Sequence, residues 1–371
     1  MRPCCRPLLV ALAAAAVNGA CGSDTAAPGR VEPVSCDDRG GAVFALTDGP
    51  TTDEDGTFLL ADDGTVHFAF ISNRAGNMDV WMTSSRDAVQ WSPPRPVVAT
   101  PDDDLLNVAV RTRDGLHHLT GRTQFMVADS ASADLQSWTG PVAWSDPRAD
   151  GWTAGAFQEA PDGDYWLVTL SEKTGTRKLY LQRSRDRGRS WEPRVPLTVH
   201  GQADLLFSFR IARDGTFILV WEQRDARDQR AVVSASSNIY LATSADGRAW
   251  TAPLRLSPDT GREKFDVWPT LLLGPGDQYY AAWLSSRLAS GTAPAGTVMV
   301  PVYPRADVGD MRAVPAPGYS VRSQRLLDGR HLLAWVQTSP SNGTPDYFYR
   351  FVCNFDFPSV RAASVFAPAG S

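Results

Sequence analysis

The chain has 371 residues, a formal net charge of −5, 12 Trp, 30 Gly and 27 Pro. The acidic balance argues against general nucleic-acid binding. The length supports a sizeable core, and Gly, Pro and Trp in these amounts suit many strands joined by tight turns rather than a helical fold.

Residues 1–20 read as an export signal: Arg2 and Arg6, the apolar run Leu8–Val17, then Gly19-Ala20 before Cys21. The run is too short to span a bilayer. Cys21, followed by Gly22-Ser23-Asp24, resembles the lipidated cysteine of bacterial lipoproteins, although Asn18 stands where a Leu is usual. The expected location is therefore the bacterial cell envelope as a lipoprotein, or the medium as a secreted protein. Membrane contact is expected only through a lipid anchor at Cys21. Residues 21–35 read as a tether, 36–357 as the folded domain and 358–371 as a C-terminal tail.

From residue 43 onward the chain repeats. Val43-Phe44-Ala45-Leu46 reads as a first short strand. Asp63-Gly64, Asp114-Gly115, Asp162-Gly163, Asp214-Gly215, Gly274-Pro275-Gly276 and Asp328-Gly329 are six tight-turn signals. Most precede an aromatic-rich strand, as in Phe217-Ile218-Leu219-Val220-Trp221 or Tyr279-Tyr280-Ala281-Ala282-Trp283. A second repeat runs in step. Ser184-Arg185-Asp186-Arg187-Gly188-Arg189-Ser190-Trp191 has shortened relatives at Ser85–Asp87–Trp91, Ser132–Asp134–Trp138 and Ser244–Asp246–Trp250, and the four serines start 47, 52 and 60 residues apart in chain order. In such a stretch Ser and Asp accept turn N–H groups, Gly188 takes a positive φ at little cost, and the Trp packs a flat ring beside the next strand. Repeats of this period point to a propeller. The blades are expected at about 50–99, 104–145, 151–199, 204–257, 265–304 and 319–357, with Phe44 and its neighbours closing the last one.

The octapeptide fits S-x-D-x-G-x-[ST]-W, the Asp-box motif, and on it the chain resembles the sialidase superfamily over residues 40–357. The resemblance implies an all-β six-bladed β-propeller with four-stranded antiparallel blades, and structural turns at the four boxes. In a closed ring the chain ends meet, so Cys36 and Cys353 can form a bridge that latches it; two buried free thiols are the other reading. No CxxC motif or His/Cys cluster occurs, and neither a cofactor nor a metal site is expected.

The resemblance also implies a site over the central channel, with a Tyr nucleophile assisted by a Glu, an Asp as acid/base, and three Arg on a substrate carboxylate. Gly318-Tyr319-Ser320 stands where that family's nucleophile opens the last blade. The family's blade-one Arg motif is replaced here by Asp53-Glu54-Asp55-Gly56-Thr57-Phe58, while Phe209-Arg210-Ile211-Ala212 resembles it in blade four. Asp79 is the acid candidate, and Asp204 or Asp266 stands in for the Glu, with Glu159 and Glu222 behind them. Arg111, Arg210, Arg322 and Arg325 on inner strands are the ligand-binding candidates, with pairing to Asp104, Asp204 and Asp266 as the alternative. Two functions follow: a propeller that binds a glycan or protein ligand at the channel mouth, or an exo-α-sialidase-like glycoside hydrolase. A monomer is expected.

Overall fold

In a computed structural model of the chain, residues 35–39, 41–123, 126–144, 153–198, 202–231, 234–257, 265–288 and 295–360 are described. The export signal, Cys21 and all of the tether but Ser35 lie outside them, as does the tail beyond residue 360.

Among the described residues, twenty-four strands form six four-stranded antiparallel sheets. After β1 (Phe44–Ala45), blade one is β2 (Asp53–Leu60), β3 (Val66–Ser72), β4 (Asp79–Ser85) and β5 (Arg95–Val98). Blade two is β6 (Asp104–Arg111), β7 (His117–Thr123), β8 (Met126–Ser132) and β9 (Val142–Ala143). Blade three is β10 (Thr153–Glu159), β11 (Tyr165–Ser171), β12 (Lys178–Ser184) and β13 (Val195–Pro196). Blade four is β14 (Ala203–Ile211), β15 (Phe217–Arg224), β16 (Asn238–Ser244) and β17 (Leu254–Arg255). Blade five is β18 (Asp266–Leu273), β19 (Tyr279–Ser285), β20 (Gly296–Tyr303) and β21 (Arg312–Ala313). Blade six has β22 (Tyr319–Arg325), β23 (His331–Thr338) and β24 (Pro345–Val352), and takes β1 as its outer strand. The fold is thus the all-β six-bladed propeller that the turn repeat implied.

Two boundaries differ from the sequence reading. Blade five runs on past residue 304 to its outer strand β21. The chain past 357 does not leave the domain at once, since Ala313 N–H donates to Pro358 O (2.9 Å) and Val360 N–H to Met311 O (2.7 Å).

Second strands such as β3, β11 and β15 are buried along their whole length. Each is covered by a neighbouring blade on either face, which is why they read as apolar runs without alternation. The gaps between blades hold the core. Phe209, Trp221 and Leu179 fill the gap between blades three and four, and Trp283, Ile218 and Val300 that between four and five. Phe68 of blade one meets Tyr347 of blade six edge-on at 4.7 Å.

The four Ser-x-Asp turns have one geometry. Each Asp accepts its own Ser hydroxyl: Asp87 from Ser85 (2.9 Å), Asp134 from Ser132 (3.1 Å), Asp186 from Ser184 (2.8 Å), Asp246 from Ser244 (3.1 Å). The same carboxylates accept backbone N–H groups within the turn, such as Gln90 N–H on Asp87 and Ser190 N–H on Asp186, both at 2.8 Å. Gly188 has φ 80° there. Trp91, Trp138, Trp191 and Trp250 are half-buried. Three of these turns lean on the preceding blade: Trp91 Nε1 donates to Tyr349 Oη (3.2 Å), Trp191 packs 5.2 Å from Trp144, and a side chain at Gly247 would strike the Trp166 ring. Cys36 and Cys353 are joined in a disulfide with Cα atoms 5.3 Å apart.

Candidate active site at the channel mouth

The six first strands touch in ring order, and β22 meets β2 to close the inner circle. Each runs from the channel mouth to its tight turn. The Ser-x-Asp turns, lying between third and outer strands, therefore sit at the opposite end. Five of the six inner strands carry a register irregularity near the mouth, between Glu54 and Thr57, Leu106 and Val108, Asp204 and Phe207, Val267 and Thr270, and Tyr319 and Arg322. A bulge inserts one residue and re-aims those on either side. In β22, Tyr319 opposes Val336 and Arg322 opposes Ala334. Residues three apart on a regular strand face opposite ways. The extra residue puts Tyr319 and Arg322 on one face, the channel side. The bulge residues Asp55 (φ 46°), Trp268 (φ 59°) and Ser320 (φ 53°) adopt the left-handed backbone region that side chains normally avoid. Strain of this kind concentrates at functional sites.

These bulges surround a cavity of about 420 Å³. Its polar wall is Glu54, Asp55, Asn107, Tyr319, Ser320 and Arg322; its apolar wall includes Leu106, Leu206, Phe207, Trp268 and Pro269. Tyr319 Oη donates to Glu54 Oε1 at 2.8 Å. The Tyr319 ring packs against Trp268, centroids 4.9 Å apart. Desolvation, the Glu54 charge and the hydrogen bond to it all hold the Tyr319 hydroxyl well above the ordinary tyrosine value. Asp55 is an exposed residue, yet the protein packed around its carboxyl desolvates it and pushes it up to about 6, against the pull of Arg322 and with a smaller push from Glu54.

Gly56, next in the chain, has to be glycine: a Cβ there would sit 2.1 Å from the Phe68 ring. Its carbonyl accepts Arg322 Nε (2.7 Å), and its N–H donates to Tyr347 Oη. Arg322 Nη1 goes to Val321 O (3.0 Å). Burial is the main reason the Tyr347 hydroxyl is pushed up to about 12.

The other site candidates lie elsewhere. Arg111 ends β6 at the turn face, where its two terminal nitrogens hold Asp62 at 2.6 Å each. Arg325 is exposed at the turn end of β22, opposite His331. Arg210 is half-buried, donates to Phe209 O (2.9 Å) and is near enough to Arg322 for the two charges to repel. Of the four arginines, Arg322 alone lines the cavity. The carboxylates expected to do chemistry have structural partners instead. Asp204 is buried and accepts Gln223 Nε2 (3.0 Å) and the Thr198 hydroxyl. Asp266 is buried between Trp283 Nε1 and Arg287 Nη2, both at 2.8 Å. Asp79 is buried at the start of β4 with Asn77 Nδ2 at 3.2 Å. Asp104 accepts Thr100 N–H (2.6 Å), and Glu159 accepts Arg113 N–H (2.6 Å) at the turn end of blade three. The alternative pairing fails in its details: Asp266 does hold an arginine, but it is Arg287. In the same way Asp53 holds Arg74, at 2.9 Å to both oxygens.

Glu54 and Asp55 were visible in the sequence only as an acidic departure from an arginine motif. Trp268-Pro269, at an inner-strand start, has no motif in the sequence that marks it as part of the cavity wall. Among the described residues, no group of three or more His, Cys, Asp or Glu is placed to hold a metal ion.

No protein-family model matches the chain, and neither does any curated protein sequence. Solved structures do. A Dyadobacter fermentans protein of unknown function is similar at TM-score 0.65 and 14% identity, covering 83% of this chain and 98% of that one. The Penicillium chrysogenum alpha-L-arabinanase, complexed with arabinobiose, is similar at TM-score 0.58 and 12% identity, over 82% and 94%. The NanB sialidase of Streptococcus pneumoniae is similar at TM-score 0.57 and 9% identity, over 88% and 71%. The shared feature is the fold: this chain is a six-bladed β-propeller of the sialidase type, an architecture it has in common with glycoside hydrolases.

Proposed function

We propose that the channel-mouth cavity binds a glycan and cleaves its terminal glycosidic bond, on an exported, monomeric protein. The observation that carries this reading is the 2.8 Å hydrogen bond from Tyr319 Oη to Glu54 Oε1 in the cavity wall. A nucleophile within reach of its base is the arrangement covalent catalysis requires. Tyr319 Oη bonds to the anomeric carbon as its proton passes to Glu54. The glycosidic C–O bond breaks, and the leaving oxygen takes the proton of Asp55. A water then attacks the same carbon and gives its proton to Asp55; the C–O bond to Tyr319 breaks, and the phenol recovers its proton from Glu54. Asp55 suits the acid role because its carboxyl, at about 6, stays partly protonated near neutral pH.

Charge favours a neutral sugar. The cavity wall has two carboxylates against one guanidinium, and Arg322 spends two of its N–H groups on backbone carbonyls. A substrate carboxylate entering there would meet Glu54 and Asp55 without the arginine clamp that offsets their repulsion. Trp268, Leu206 and Phe207 offer apolar surface to the C–H faces of a sugar ring.

The test is a screen of purified protein against fluorogenic glycosides, neutral furanosides, neutral pyranosides and sialosides, with binding followed in parallel by calorimetry. Turnover of a neutral glycoside that Tyr319→Phe abolishes while binding persists is the expected result. Binding of a glycan without turnover would reduce the site to a binding module. Preferred turnover of sialosides would overturn the charge argument, and neither binding nor turnover across the panel would reject the whole reading.

A further inference from the structure

Glu222 stands outside the cavity, at the end of β15 in blade four, and is fully buried. Its Oε2 accepts the backbone N–H of Trp268, in blade five, at 3.2 Å. Its Oε1 accepts Arg224 Nε and the Ser237 hydroxyl, both at 2.9 Å. Arg224 is buried too, and another of its nitrogens donates to Ala231 O (2.7 Å). A buried ion pair of this kind is weak evidence for stability, because desolvation offsets much of the attraction. What it does here is fix one N–H. That N–H belongs to a bulky residue at φ 59°, a conformation that persists only where its surroundings over-determine it. The conformation matters to the cavity, since it turns the indole against the Tyr319 ring.

We infer that Glu222 is a positioning residue for the glycan site: it holds Trp268 in the left-handed conformation that makes the indole both a wall for a sugar ring and a lateral support for Tyr319. The inference rests on the glycosidase reading for its substrate and on the geometry alone for its mechanism. Glu222→Gln keeps the shape but cannot accept at both oxygens, so either the Trp268 N–H or Arg224 Nε loses its acceptor at position 222. Ser237→Ala is the milder change, removing one hydrogen bond from Glu222 while leaving the charge paired.

The experiment uses full-length protein labelled with 5-fluorotryptophan, the Trp268 resonance being assigned by its loss in Trp268→Phe. Glu222→Gln should shift or broaden that resonance, and Ser237→Ala should do so to a smaller degree. Should Glu222→Gln not fold, Ser237→Ala carries the test. On the glycoside that the wild type turns over, Glu222→Gln should raise KM about tenfold with a smaller change in kcat, as expected for lost substrate contact. In a Trp268→Ala background the same substitution should add nothing, because a residue acting through another is non-additive with it. An unmoved fluorine resonance, or fully additive effects on KM, would overturn the inference. If the wild type neither binds nor cleaves any glycan, the glycosidase reading fails separately, and the fluorine resonance still decides whether Glu222 sets the conformation of Trp268.

Discussion

Tyr349, in the third strand of the last blade, donates its hydroxyl to the carbonyl of Ala88 in the first blade at 2.9 Å. The same hydroxyl accepts Trp91 Nε1 at 3.2 Å, and the Tyr349 and Trp91 rings meet edge-on at 5.9 Å. Residues some 260 apart in sequence are thereby joined at the seam where the ring closes. Tyr349→Phe keeps the ring packing and leaves a buried carbonyl without its donor. The expected cost is about 1–3 kcal/mol, read as a lower urea midpoint with an unchanged slope. A midpoint equal to that of the wild type would mean that water replaces the hydroxyl and that the seam does not depend on it.

The disulfide between Cys36 and Cys353 closes the ring a second time, over a sequence separation of 317 residues. In the chain-entropy model a loop that long contributes roughly 5–6 kcal/mol by restricting the unfolded state. Reduction, or Cys353→Ser, should therefore lower Tm by several degrees while leaving the far-UV circular dichroism at 20 °C unchanged. If reduction leaves Tm where it was, the seam is held by β1 and its neighbours alone.

The fold could be read because its signals are local. An Asp-Gly turn or a Ser-x-Asp turn needs only its own few residues, and each recurs once per blade. The site could not be read the same way. Strand alternation predicts which residues share a face only while the register is regular, and five inner strands break it at the mouth. The family resemblance points to Tyr319, since its place at the start of the last blade is independent of register. Asp204 and Asp266 open inner strands, yet that position is where blades bury a carboxylate against their own second strand. Arg111 and Arg325 lie on the right strands but at the wrong ends. Glu54 and Asp55 stand where the resemblance implies an arginine, so their place in the sequence does not mark them as site residues. Glu54 takes its meaning from a partner 265 residues away, Tyr319, which no local pattern shows.

The turn at Asp186 predicts a pH effect. The Ser190 hydroxyl and N–H, with the Ser184 hydroxyl, bind its carboxylate and pull it down to about 2 from an ordinary 3.8. A carboxyl held lower in the folded state than in the unfolded one adds stability above the unfolded value and loses it as pH falls through the folded one. The contribution of Asp186 is therefore present above about pH 4 and fades between 4 and 2. Asp186→Asn should melt below the wild type at pH 6, and the gap should narrow toward pH 2. A gap that stays constant across that range would assign the effect to lost turn geometry rather than to charge.

Asp55 behaves with the opposite sign. Its carboxyl stands near 6 in the folded protein against an ordinary 3.8, chiefly through desolvation. The folded state therefore holds this proton more tightly than the unfolded chain does. As pH rises from about 3.8 to about 6 the unfolded chain loses its proton first, and the folded protein loses stability; above 6 the deficit is constant. Asp55→Asn removes the titration, so it should raise Tm at pH 7 and give no such gain at pH 3.5. The same substitution should remove activity, since an amide cannot deliver the proton to a leaving oxygen. In the wild type, kcat/KM should fall on the alkaline side through about pH 6, because the free enzyme loses its acid there. Arg322→Met removes the nearest positive charge, which now holds the Asp55 carboxyl down, and should move that limb to higher pH. A limb that stays put in Arg322→Met, or an Asp55→Asn variant that keeps full activity, would take the acid role away from Asp55 and leave Tyr319 and Glu54 in need of a different proton donor.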